Sequence, residues 1–102
     1  MKAHFIRIDA EEMTDLLCAT LVCRLRELKW PAGEAAMAAD KALKMVYSRM
    51  EDIQVQAAQD MGRIAAGGGN EAMMQNMARA VFAVEGIKIA DELNKSRLAG
   101  LN

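Results

Sequence analysis

An all-α chain of three helices is the fold class this sequence predicts, with a long antiparallel helical hairpin that two copies complete into a bundle. Three observations carry that expectation. Ala39, Leu43, Val46, Met50, Ile53 and Ala57 recur at spacings of four and three, a helical period close to a heptad. The sharp breaks fall at Pro31-Ala32-Gly33 and at Gly67-Gly68-Gly69, which divide the chain into three long segments. A strand signal is confined to residues 1–8, where Phe5, Ile6 and Ile8 are available for packing.

Those first eight residues read as an arm or a short strand, and residues 9–102 as a single helical domain with helices at about 9–30, 34–66 and 70–97. Asp9 followed by Glu12 has the form of a capping box and starts the first helix. Thr14, Cys18, Leu21, Leu25 and Leu28 form its stripe, and Met13, Leu17 and Val22 widen it, so that its middle is apolar nearly all round. Pro31 stops it and is also usable as the first residue of the next helix.

The second helix, Glu34 to Ala66, is the spine. At ~1.5 Å per residue it is about 50 Å long, whereas a compact domain of this size has a radius of gyration near ~13 Å. One chain is therefore expected to be too small to cover it, and a second copy is expected at Leu43, Val46, Met50, Ile53, Phe82 and Ile89. Gly62 is a candidate early stop. The triple glycine ends the spine, and Asn70 caps a third helix with Met73, Met77, Val81 and Val84 on one side and Ala78, Phe82, Ile89 and Leu93 on another.

Thirteen basic and 14 acidic residues, interspersed in sign, argue against a polyphosphate as the main ligand, because counterion release needs a basic face. Cys18 and Cys23 lie about 140° apart on one helix, out of reach of each other, and read as reduced core thiols. Arg7 and Asp9 interrupt any signal-peptide run, and the longest apolar stretch, about Leu16 to Cys23, is too short to cross a bilayer. The expectation is a soluble, cytoplasmic protein. The nine methionines serve either as core fillers or as an adaptable binding surface.

Chemistry-bearing patterns are sparse. Gly62 and Gly67 have the separation of the phosphate-loop glycines, but Gly68 and Gly69 follow where Lys and Ser or Thr are needed. His4 is the sole histidine, so neither a zinc site nor a di-iron bundle site assembles in one chain, and no cofactor is expected. A cysteine nucleophile would need a base, and the apolar run raises its thiol pKa. Glu51-Asp52 and Asp91-Glu92 are adjacent on helices and point ~100° apart, which suits solvation better than acid–base catalysis. The chain is accordingly read as a non-enzyme.

Two charges continue apolar rows. Arg24 follows Leu17 and Leu21, and Glu85 follows Ala78 and Phe82. Either each is paired across a helix interface, with the other as a candidate partner, or both snorkel at the edge of a stripe. Arg24, Arg26, Lys29, Trp30, Lys41 and Lys44 cluster around the first turn and form the candidate partner-binding end. The same cluster serves as favourable charge at a helix C-terminus and as solvation of the hairpin end.

Leu28-Lys29-Trp30-Pro31-Ala32-Gly33-Glu34-Ala35-Ala36, followed by Ala39-Asp40-Lys41-Ala42-Leu43, resembles the hairpin of small uncharacterised bacteriophage-encoded proteins. That resemblance covers less than a third of the chain. It implies binding to a host protein, including components of antiviral defence, and transfers no functional residue. The functional expectation is a non-catalytic protein–protein interaction module that pairs with itself and with a host protein. The alternative is a small nucleic-acid or nucleotide binder using the basic hairpin end.

Overall fold

The computed structural model describes residues 6–100, which form three helices and no strand: α1 (Ala10–Glu27), α2 (Ala32–Ala66) and α3 (Glu71–Gly100). They pack side by side into a rod of 51 × 22 × 19 Å with a Cα radius of gyration of 15.2 Å. Its length is that of α2, whose 35 residues at ~1.5 Å each reach about 52 Å.

Cross-helix ion pairs set the directions. Arg97 near the end of α3 meets Glu34 near the start of α2 at 3.0 Å, and Arg49 meets Glu92 at 3.0 Å, so α2 and α3 run antiparallel. Arg79 reaches Glu12 at 3.5 Å and Arg24 reaches Asp91 at 2.9 Å, so α1 and α3 run parallel at an offset of 67 residues. α1 packs chiefly on α3 and only lightly on α2, although α2 is its neighbour in sequence.

Gly86 explains that preference. A Cβ at this position would collide with Thr20 Oγ1 and the Leu17 carbonyl oxygen and would stand 3.1 Å from the Leu21 nitrogen. A glycine in mid-helix costs about 1 kcal/mol of helix propensity relative to alanine, and here it is what lets two helix backbones approach so closely. Around it Leu17, Leu21, Leu25, Phe82, Ile89 and Ala90 are fully buried.

Caps set the ends. Glu12 N–H donates to Asp9 Oδ1 at 2.8 Å and Met73 N–H to Asn70 Oδ1 at 2.9 Å, as the capping pattern of the sequence leads one to expect. The Glu12 side chain does not close a reciprocal box; it reaches α3 and Arg79 instead. α1 stops before Trp30 is reached. Lys29 N–H donates to the Arg26 carbonyl and Trp30 N–H to the Leu25 carbonyl, both at 3.0 Å, with Lys29 at φ 72. This is the Schellman arrangement, which ends the helix at Glu27, four residues ahead of the proline. α2 ends by the same device: Gly68 takes φ 87, Gly68 N–H donates to Ala65, and Gly69 N–H to Ile64. Gly62 does not interrupt α2.

Several expectations are corrected. Of residues 1–8, read as an arm or a short strand, the described Ile6, Arg7 and Ile8 are not in a strand: Ile8 is buried, while Arg7 N–H donates to Gln75 Oε1 at 2.9 Å and pins the segment to α3. Met1 to Phe5 and the last two residues lie outside the described region. The spine is not too long for one chain to cover, because α3 runs back along it. Val46, Ile53, Phe82 and Ile89, expected to face a second copy, are 0–4 % exposed within the single chain, so they have no surface left to offer. Leu43 and Met50 are half-buried on α2. Among the described residues no helix is long and apolar enough to cross a membrane.

Arg24 and Glu85 are each paired across a helix interface, but not with each other. Parallel packing brings Arg24 level with Asp91, six residues past Glu85, and Glu85 instead lies 3.7 Å from Arg49 of α2.

Candidate functional site

Two surfaces compete for a functional role. The first is the turn at which the basic cluster sits, and here three helix ends are tied together. The Schellman turn swings Trp30 back over α3, where its indole Nε1–H donates to Asn94 Oδ1 at 2.9 Å. The Arg97 guanidinium stacks on the ring, 4.4 Å from its centroid, while pairing with Glu34. Arg26 donates to the Trp30 carbonyl at 2.8 Å, satisfying one of the open acceptors after α1.

Most of the cluster's charge is thereby consumed. Arg24 Nε donates to Asp91 at 2.9 Å and Nη1 to Glu27 at 3.1 Å. Those hydrogen bonds, Asp91 first and Glu27 second, push the Arg24 pKa further above its usual value. Lys29 and Lys44 are exposed and have no ion pair among the described residues, and Lys41 lines a hollow of about 360 Å³ with Trp30, Met37 and Arg97. The structure therefore brings Trp30 and Lys41 together, places Lys29 beside them, turns Arg24 toward α3 and leaves Lys44 on the outer face of α2. Asn94, Glu34 and Arg97 complete the end, and the sequence reading missed all three as members of this site, since nothing local marks a tryptophan's distant acceptor.

Compared with known proteins, the chain matches no family model, no curated protein and no solved structure. The weight of a functional reading falls on geometry.

The second surface is the outer side of α3. Met73, Met77, Ala80, Val84 and Ile87 follow one another at steps of four, three, four and three, so they line up as the seam of a coiled coil. None is covered by this chain's own core: Met73 is 51 %, Val84 48 % and Ile87 39 % exposed, Ala80 is exposed and Met77 half-buried. Its middle members Met77, Ala80 and Val84 form one wall of a groove of about 550 Å³ between α2 and α3, while Met73 and Ile87 lie outside it. Ile53 and Val81 lie at its floor, and Asp52, Gln56 and Asp60 rise along the α2 wall at steps of four. Arg49 closes one end, held by both carboxylate oxygens of Glu92 at 3.0 and 3.3 Å. The exposed apolar residues of α2, Met37, Tyr47 and Val55, are far apart along the helix and are ordinary surface residues.

A helix whose apolar residues extend all round is one that expects neighbours on all sides. α3 has α1 and α2 on two of its sides; on the third it carries the exposed row. The Met73, Met77 and Val84 side of α3 is visible in the sequence; Ala80 and Ile87, which turn it into an unbroken four–three row, were not read as part of it.

Metal and thiol chemistry find little footing. Among the described residues no group of three or more His, Cys, Asp or Glu is placed to hold a metal ion. Cys18 and Cys23 are both free thiols, and Cys23 is exposed, which corrects its assignment to the core. Burial raises the Cys18 pKa above its usual value, and the negative charges of Asp15 and Asp40 push it further the same way. That is the opposite of what a nucleophilic thiolate requires.

Proposed function

We propose that this protein is a non-catalytic interaction module that binds a helix of a protein partner along the outer face of α3 and the adjoining α2–α3 groove. The observation that carries this reading is the exposed four–three row from Met73 to Ile87. A facing amphipathic helix would set its own apolar ridge into that row, the helix-in-groove mode of recognition. Methionine at the row's start suits such a role, since its flexible thioether adapts to varied side chains. The resemblance of the Trp30 hairpin to phage-encoded proteins supports a host-directed inhibitor or adaptor as the setting.

The nucleic-acid alternative is supported less well. Arg24, Arg26 and Arg97 at the hairpin end are engaged within the chain, and the Trp30 face that a base would stack on is occupied by Arg97.

Affinity capture from the source cells with the wild-type chain and with Val84→Glu as baits tests the proposal. Val84 is exposed, so the substitution leaves the fold intact while placing a charge in the row. A protein held by the wild type and lost with Val84→Glu supports the reading. Identical captures, or binding to short DNA or RNA that falls steeply with salt, overturn it.

A further inference from the structure

We infer that the groove receives the α3 helix of a second copy of this chain, lying antiparallel about a two-fold axis. This rests on the protein-binding reading above and names its partner. A two-fold axis across the helices brings the same face of both α3 helices together, and an antiparallel seam mates each position of one heptad kind with one of the other kind.

Two registers satisfy that rule with two kinds of apolar layer each, the first leaving Ile87 over and the second setting Met73 opposite Asp91. In the first, Met73 meets Val84 and Met77 meets Ala80, and Ile87 is left over. In the second, Met77 meets Ile87 and Ala80 meets Val84, which uses the long side chains against each other and the small one against a medium one.

Charge decides for the second. Asp60 and Met77 both line the groove, and the antiparallel pairs Arg97–Glu34 and Arg49–Glu92 set Asp60 opposite roughly residues 71–81 of α3. In the second register, Lys88 of each copy arrives level with residue 76 of the other, within the stretch of α3 that Asp60 faces across the groove. In the first register it lies seven residues away, about 10 Å further along, beyond the start of α3. Lys88 is exposed and has no ion pair among the described residues. Asp60 has an acceptor to spare: Gln56 and Arg63 both donate to its Oδ1 at 3.1 Å, which leaves Oδ2 without a donor among the described residues. The axis repeats the Lys88–Asp60 contact, so the charges satisfy each other in both copies.

The contact is modest in size. From Met73 to Asp91 it is about 28 Å long, and a helix ~10 Å across covers roughly 300 Å² per copy. With the α2 walls added, the total lies near the ~1,000 Å² that separates transient from stable interfaces. Self-association is therefore expected at micromolar concentration.

Sedimentation velocity or light scattering on the purified chain from roughly 1 to 300 µM tests this. The wild type is expected to pass from monomer to dimer, Val84→Glu to stay monomeric with an unchanged helical circular-dichroism spectrum, and Lys88→Glu to raise the dissociation constant about tenfold. Adding Asp60→Lys to Lys88→Glu is expected to restore the wild-type constant. A wild type that remains monomeric overturns the inference, even where capture of a foreign protein upholds the binding reading. A dimer indifferent to Val84→Glu, or to the charge reversal at Lys88, overturns it as well.

Discussion

Gly86→Ala is the sharpest perturbation available, because two known effects oppose each other and the structure says which is larger. In an exposed helix the change stabilises: alanine is favoured by about 1 kcal/mol in helix propensity, and it also restricts the unfolded chain. Against that, the new methyl would meet the Leu17 carbonyl oxygen, Thr20 Oγ1 and the Leu21 nitrogen. Two of these are backbone atoms of α1, which no rotamer change can move aside. Thr20 Oγ1 is itself tied to the Leu16 carbonyl at 2.9 Å and the Leu17 carbonyl at 3.2 Å. α1 must therefore shift as a body, loosening Leu17, Leu21 and Phe82, all fully buried. Overpacking of a rigid core costs about 1–3 kcal/mol, and the backbone obstruction puts this case at or above the top of that range. The net expectation is a loss of about 2 kcal/mol, or roughly 8–16 °C in Tm for a domain of this size. Urea unfolding followed by circular dichroism at 222 nm measures it. A Gly86→Ala chain as stable as the wild type, or more so, refutes the close packing of α1 on α3.

Three further outcomes follow from the caps and the thiols. Lys29→Gly relieves a left-handed lysine at the end of α1 and is expected to add about 0.5–1 kcal/mol, read as a higher urea midpoint; a loss would mean that the Schellman turn is not formed. Asp9→Ala removes the acceptor for Glu12 N–H and is expected to lower stability by about 1 kcal/mol in the same assay, with Asp9→Ser retaining most of it. Cys23 is expected to react with iodoacetamide before Cys18 between about pH 7 and 9, counted by peptide mass spectrometry, because the Cys18 thiol holds its proton to higher pH. The raised folded-state pKa also means that this group's contribution to stability is full below the unfolded thiol value and is lost as pH rises through the folded one. Equal labelling rates at both positions would contradict the partial burial of Cys18.

What the sequence discloses follows from how local the cause is. Asp9 and Asn70 act on residues three positions ahead, so both helix starts are legible. The end of α1 is not, because Pro31 is a louder signal than the Lys29 turn that forestalls it. The pattern of α2 reveals a long helix, but not which neighbour covers it; reading Val46, Ile53, Phe82 and Ile89 as an intermolecular face mistook the reach of α3 for a shortage of chain. Arg24 shows the same limit. Its place on an apolar row announces a partner, while the choice of Asp91 over Glu85 depends on the parallel offset of α1 and α3, which no local pattern encodes. Gly86 was the available clue to that offset. A lone glycine amid strong helix formers asks for a close approach, and its level on α3 fixes where α1 must lie.

The parallel placement of α1 against α3 also bears on how the chain is made. Arg24 emerges from the ribosome 67 residues ahead of Asp91, and at ~5–20 residues per second the wait is several seconds. Throughout it Leu17, Leu21 and Leu25 have only the lightly touching α2 for company. A first helix whose apolar face waits for its main neighbour is thus built into the topology until α3 has been made.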